Sequence, residues 1–73
     1  MRIRDLREDH DLTQQQVADY LKIRQNTYSQ YETGARQMPL EVLTALAALY
    51  KTSTDYLLGL TDHNVPYAPK KMA

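Results

Sequence analysis

The chain is 73 residues long, with nine Lys and Arg balancing nine Asp and Glu, 42% apolar residues and no Cys. That is one small globular domain, too apolar to stay disordered, and it excludes disulfides, thiolate chemistry and Cys-ligated zinc. No apolar run is long enough to span a membrane, so a soluble, cytoplasmic protein is expected, and the zero net charge counts against a nucleic-acid partner.

Few glycines and abundant Leu, Ala, Gln and Tyr favour helix over sheet. A first helix is predicted over about 2–10, with Ile3 and Leu6 inward, His10 at its end and Leu12 closing the segment. Arg4 and Glu8 can meet at i,i+4. No side chain caps this helix at its start, so its first turn is expected to fray. Thr13 is a good N-cap, and Gln16 three residues on completes a capping-box pattern. A second helix then covers 14–21 and buries Val17, Ala18 and Leu21.

Lys22-Ile23-Arg24 interrupts the period for only these residues. A third helix over about 25–32 buries Tyr28 and Tyr31 and stops at Gly34. Its other face holds Gln25, Asn26, Thr27, Ser29 and Gln30, all uncharged and all able to hydrogen-bond. A solvent face normally carries Glu and Lys, which are better helix formers. A face of amides and hydroxyls serves something other than solubility.

A fourth helix is predicted over about 39–50, with Pro39 in its first turn. Leu40, Leu43, Leu46, Ala47 and Tyr50 form its stripe, widened by Val42, Ala45 and Leu49, as in a central helix wrapped by others. Ser53 caps a short fifth helix over about 54–58, with Tyr56 and either Leu57 or Leu58 inward and Gly59 as its stop. Residues 61–73 contain Pro66, Pro69, Lys70 and Lys71 and read as a tail, disordered unless a dimer or another partner docks it.

Two short helices joined by a tight turn, the second with a polar face, form a helix-turn-helix arrangement. The stretch Thr13-Gln14-Gln15-Gln16-Val17-Ala18-Asp19-Tyr20-Leu21, then Lys22-Ile23, then Thr27-Tyr28-Ser29-Gln30-Tyr31-Glu32-Thr33-Gly34, resembles the Cro/repressor-like (XRE) DNA-binding domains. Leu46-Ala47 and Asp55-Tyr56-Leu57-Leu58-Gly59 match that family's fourth and fifth helices. The resemblance covers about residues 3–60. It implies a compact all-α, five-helix lambda-repressor-like DNA-binding domain over 1–60, with the helix-turn-helix at helices 2 and 3. It also implies a sequence-specific transcriptional regulator, a repressor that inserts helix 3 in the major groove of double-stranded DNA as a homodimer.

By the same resemblance, Gln25, Asn26 and Gln30 read bases, with Ser29 and Thr27 beside them. Gln14 holds a phosphate, and Thr13, Arg24, Arg36 and Gln37 add contacts. Arg7 should pair with Glu32 and tie the reading helix to the core; the alternative is two separately solvated charges. Amide side chains suit adenine, so an operator with A·T pairs is expected. Tyr56, Leu57, Leu60 and Tyr67 are candidates for the dimer surface, or they merely cover the base of the core. Three departures stand out. Lys22 sits where the family often has Gly, Arg24 replaces a small N-cap, and Thr52 and Thr54 replace aliphatic residues.

Charge placement tempers the first impression. Residues 12–38 carry Lys22, Arg24 and Arg36 against Asp19 and Glu32, a net +1, so the acidic excess lies outside the proposed DNA face. A protein-interaction module, such as an antitoxin-like chain whose tail wraps a partner, is the alternative; the short, Pro-interrupted tail disfavours it. His10 and His63 make a poor metal set, and no Ser/His/Asp set or glycine-rich phosphate loop is present. Neither enzymatic activity nor a cofactor is expected.

Overall fold

The computed structural model describes residues 1–63. These form five helices: α1 (Ile3–Asp9), α2 (Gln14–Leu21), α3 (Gln25–Thr33), α4 (Leu40–Leu49) and α5 (Thr54–Leu58). Ile3 and Leu6, Val17 and Ala18, Tyr28 and Tyr31, Leu46, Ala47 and Tyr50, and Leu57 form one core to which every helix contributes. Ala18 is fully buried where α2 and α3 pack together, and a larger side chain there would hold the two helices apart.

The predicted punctuation is visible at the helix ends. Thr13 Oγ1 accepts from the Gln16 N–H (3.0 Å), while Gln16 Oε1 accepts from the Thr13 N–H (2.8 Å), the reciprocal capping box. Ser53 caps α5 through the Tyr56 N–H. Gly34 ends α3 at φ 82°, a left-handed conformation that costs Gly little. Lys22 takes the same role after α2 at φ 60°, ψ 42°, where its Cβ crowds the next carbonyl.

Four expectations change. Pro39 is the N-cap of α4, not part of its first turn, because its ψ of 154° is extended. Leu40 is 72% exposed: the apolar stripe reaches the first residue of α4, but no other element covers that turn. Leu57 is fully buried and Leu58 is 42% exposed, so Leu57 belongs to the core and is not available as a dimer surface. The start of α1 is tied down. The Arg2 N–H donates to the Leu57 carbonyl (2.8 Å), its guanidinium stacks over the Tyr56 ring (4.3 Å), and it meets Asp62 at 2.8 Å. These contacts replace a side-chain cap with tertiary ones. Tyr67, Lys70 and Lys71 lie outside the described residues.

Arg7 and Glu32 hold α3 against α1. Arg7 Nε donates to Glu32 Oε2 at 2.7 Å and Nη2 to Oε1 at 3.2 Å, while Nη1 donates to the Leu12 carbonyl at 2.9 Å. One guanidinium therefore joins α1, the α1–α2 connection and the end of α3. The two side chains are only 13% and 3% exposed. Burial by itself would raise the Glu32 carboxyl, but the Arg7 guanidinium, the nearby Tyr28 phenol and the Gln14 amide outweigh it and hold the carboxyl below its ordinary value of 4.5. Arg4 and Glu8 also meet, at 3.7 Å, but both are well exposed and contribute little.

Arg7→Met leaves the Glu32 carboxylate buried without its cation. The expected cost is roughly 3 kcal/mol, read by calorimetry as a fall in Tm of roughly 12–24 °C. Because the folded carboxyl titrates below the unfolded one, the native chain binds fewer protons in acid. The pair's stabilisation is complete above pH 4.5 and is lost as pH falls through the depressed folded value. Urea midpoints of the wild type should follow that acid limb, and those of Glu32→Gln should lack it. At the turn, Lys22→Gly should raise stability by about 1 kcal/mol in the same denaturation assay by releasing left-handed strain.

Candidate nucleic-acid interface

Successive α-helical residues turn by about 100°. With Tyr28 and Tyr31 buried, that rotation puts Gln25, Asn26, Ser29, Gln30 and Thr33 along the outward stripe of α3. Asn26 and Thr33 are exposed, and Gln25, Ser29 and Gln30 are half-buried. Thr27 is half-buried and falls to the side of this stripe. Thr33 was not among the residues expected from the sequence. Its signal was simple phase: it stands one turn after Ser29 and Gln30.

The first residues of α2 and α3 are joined by side chains. A carboxylate only accepts hydrogen bonds, so Gln14 must turn its amide nitrogen toward Glu32. Gln14 Nε2 donates to Glu32 Oε1 at 3.0 Å, which leaves Gln14 Oε1 facing the other way. Gln25 Nε2 donates to that oxygen at 2.6 Å. The orientation of both amides thus follows from one buried charge. Among the described residues Gln25 keeps its Oε1 and one N–H free, the acceptor and donor that match adenine N6 and N7.

Gln14 is therefore engaged within the protein, on Glu32 and Gln25, rather than standing free for a phosphate. Its expected partner changes because Glu32 lies within its reach, a contact that sequence spacing does not reveal. Thr13 Oγ1 is occupied as the α2 cap acceptor. The capping box still leaves the Gln14 and Gln15 N–H groups unbonded within the helix, as at any helix start. Arg24 is exposed at the N-cap of α3 and makes no side-chain cap bond, so the first N–H groups of α3 are likewise open. Arg36 and Gln37 are exposed in the connection to α4. Open amide groups at two helix starts, beside Arg24, favour an anion.

Behind this surface lie buried hydroxyls. Tyr28 and Tyr50 have phenol oxygens with no hydrogen-bond partner among the described residues. Burial pushes the Tyr28 phenol far up and that of Tyr50 to about 12, so both stay neutral. Tyr28 is thus core and presents no ring to a base. His10 is exposed, but its ring packs on Tyr50 with centroids 5.0 Å apart, and its Nδ1 lies 2.8 Å from the Leu6 carbonyl. Among the described residues, no group of three His, Cys, Asp or Glu is placed to hold a metal, and no helix is long and apolar enough to cross a membrane.

The helix-turn-helix family model matches residues 3–57. The chain is 43% identical over 70 residues to the uncharacterized HTH-type transcriptional regulator YobD of Bacillus subtilis, an alignment covering 96% of this chain and 62% of that protein. It is 43% identical over 58 residues to the HTH-type transcriptional regulator AnsR of the same organism, covering 80% of this chain and 50% of that one. It is 36% identical over 64 residues to the cryptic phage CTXphi transcriptional repressor RstR of Vibrio cholerae, covering 88% and 58%. The chain thus spans between half and two thirds of the length of these relatives. No solved structure matches. The family consists of DNA-binding regulators without enzymatic activity. The matched span includes all the helices but the last residue of α5, and the chain belongs to the helix-turn-helix family of Cro/repressor (XRE) type.

Proposed function

We propose that this chain is the sequence-specific DNA-binding part of a transcriptional repressor, which places α3 in the major groove. The observation that carries the reading is the uncharged outward stripe of α3, whose first amide is fixed through Gln14 by the buried Glu32. Amide and hydroxyl side chains serve phosphates as well as bases, and those on a helix laid in the major groove are the ones that reach base edges. Gln25 pairs with adenine through Oε1 and its free N–H, Asn26 and Ser29 contact neighbouring bases, and Thr27 contributes from the side. Phosphates are held by the open backbone N–H groups at the starts of α2 and α3, that of Gln14 included, with Thr13, Arg24 and Gln37 around them.

One α3 covers only a few base pairs, so specific binding calls for two copies on a two-fold operator. Leu58 and Leu60 are 42% and 73% exposed, and with Tyr56 they supply an apolar surface at α5 for such a homodimer. Leu57 takes no part.

Selection of bound duplexes from a random pool should enrich a two-fold motif containing A·T pairs, with half-sites about 34 Å apart. Failure to enrich any motif would favour the protein-interaction alternative. Gln25→Ala should cost roughly 1–3 kcal/mol on the selected duplex and relax preference at one base position per half-site. An equal loss on every sequence would restrict Gln25 to positioning the backbone. Sedimentation of the full chain should show a dimer on the selected duplex, and a monomer both free and bound would remove the homodimer.

A further inference from the structure

Arg36 and Gln30 are attached to one another twice. The Arg36 backbone N–H donates to the Gln30 carbonyl at 3.3 Å, and Arg36 Nε donates to Gln30 Oε1 at 2.8 Å. Thr33 strengthens the same corner. Its hydroxyl lies 3.3 Å from the Gln30 carbonyl, to which it donates, and 3.4 Å from the Ala35 N–H, from which it accepts. The turn that follows α3 is thus folded back onto Gln30.

A guanidinium has donors and no acceptor, so it selects the oxygen end of the carboxamide. Gln30 Nε2, with both its N–H groups, is the end left for a partner. The Nη groups of Arg36 make no hydrogen bond among the described residues, and Arg36 is exposed. The pair therefore presents a row of donors next to the outward stripe of α3. Gln25 is different: one of its N–H groups is already given to Gln14, and its oxygen has no partner among the described residues.

We propose, on the basis of the DNA-binding reading above, that Arg36 is a specificity-determining residue that orients Gln30 so the pair reads guanine. Guanine is the base whose major-groove edge offers two adjacent acceptors, O6 and N7. Adenine sets a donor beside its acceptor, cytosine offers a donor, and thymine offers one acceptor beside a methyl group. An exocyclic amine approaching Gln30 Oε1 meets the guanidinium, donor against donor. The role goes beyond the phosphate contact expected for Arg36 and replaces the adenine preference expected for Gln30.

The test is duplex selection from a random pool with the full chain, its Arg36→Met variant and its Gln30→Glu variant, each checked for folding by thermal melting. The wild type should enrich guanine at one position per half-site. Arg36→Met should reduce that guanine preference by roughly tenfold and admit adenine, since the freed carboxamide can then pair with N6 and N7. Preferences at the other positions should persist. Gln30→Glu turns the outward group into an acceptor while keeping a partner for Arg36, and should move the preference to cytosine, a donor base. An Arg36→Met variant that binds all duplexes more weakly with unchanged base preferences would overturn the inference and leave the DNA-binding reading standing. A wild type that enriches no motif would overturn both.

Discussion

The Arg7–Glu32 pair ties the end of α3 to α1, over and above the packing of Tyr28 and Tyr31 in the core. Two charges are removed from water there, and such burial is favourable only when the geometry is good and the remaining polar atoms are satisfied. Here the fork of Arg7 spans both carboxylate oxygens and the Leu12 carbonyl, and Gln14 adds a further donor to Glu32. The pair is thus the centre of a network rather than an isolated bridge. It ties down the end of α3, and it also fixes which way two amides on the outer surface point. Structure and recognition share one set of hydrogen bonds, so the residue that anchors the helix is also the first to orient what the helix presents.

The core behind that network is unusual in composition. The chain has six Tyr and neither Phe nor Trp, and the largest fully buried side chain among the described residues is Tyr28. Tyr28 and Tyr50 bring two phenol oxygens inside, and Thr52 adds a third buried hydroxyl without a partner among the described residues. A buried hydroxyl left unpaired costs roughly 1–3 kcal/mol. The Tyr28 phenol stands near Glu32 and favours its ionised form, which recovers part of that cost. At the other end of the core, Thr52 occupies a place where an aliphatic residue would pack without such a penalty.

Much of the fold was legible because its punctuation is local. Thr13 with Gln16, Ser53, Gly34 and Gly59 act within one turn of where they stand, and the helices begin and end at them. The Arg7–Glu32 contact and the amide face of α3 were reachable through resemblance and helical phase. Other features depend on what lies across the fold, which periodicity does not describe. Leu40 continues an apolar stripe but has nothing packed over it, and Leu57 and Leu58 exchange roles by a single step of helical rotation. The staple at Arg2 joins residues 60 positions apart. Gln14 looked like a free surface amide because nothing in its own helix shows that Glu32 and Gln25 surround it.

The hydrogen-bonded outer face also has a kinetic consequence. Long-range attraction between charges raises the rate of encounter, and this surface has few cations to provide it. Gln25 and Gln30 are instead held in place by hydrogen bonds before any partner arrives, so these two side chains have little rotamer entropy left to lose on docking. Under the proposed docking, a correct and an incorrect duplex would meet this chain at similar rates, and the correct one would be distinguished by how long it stays.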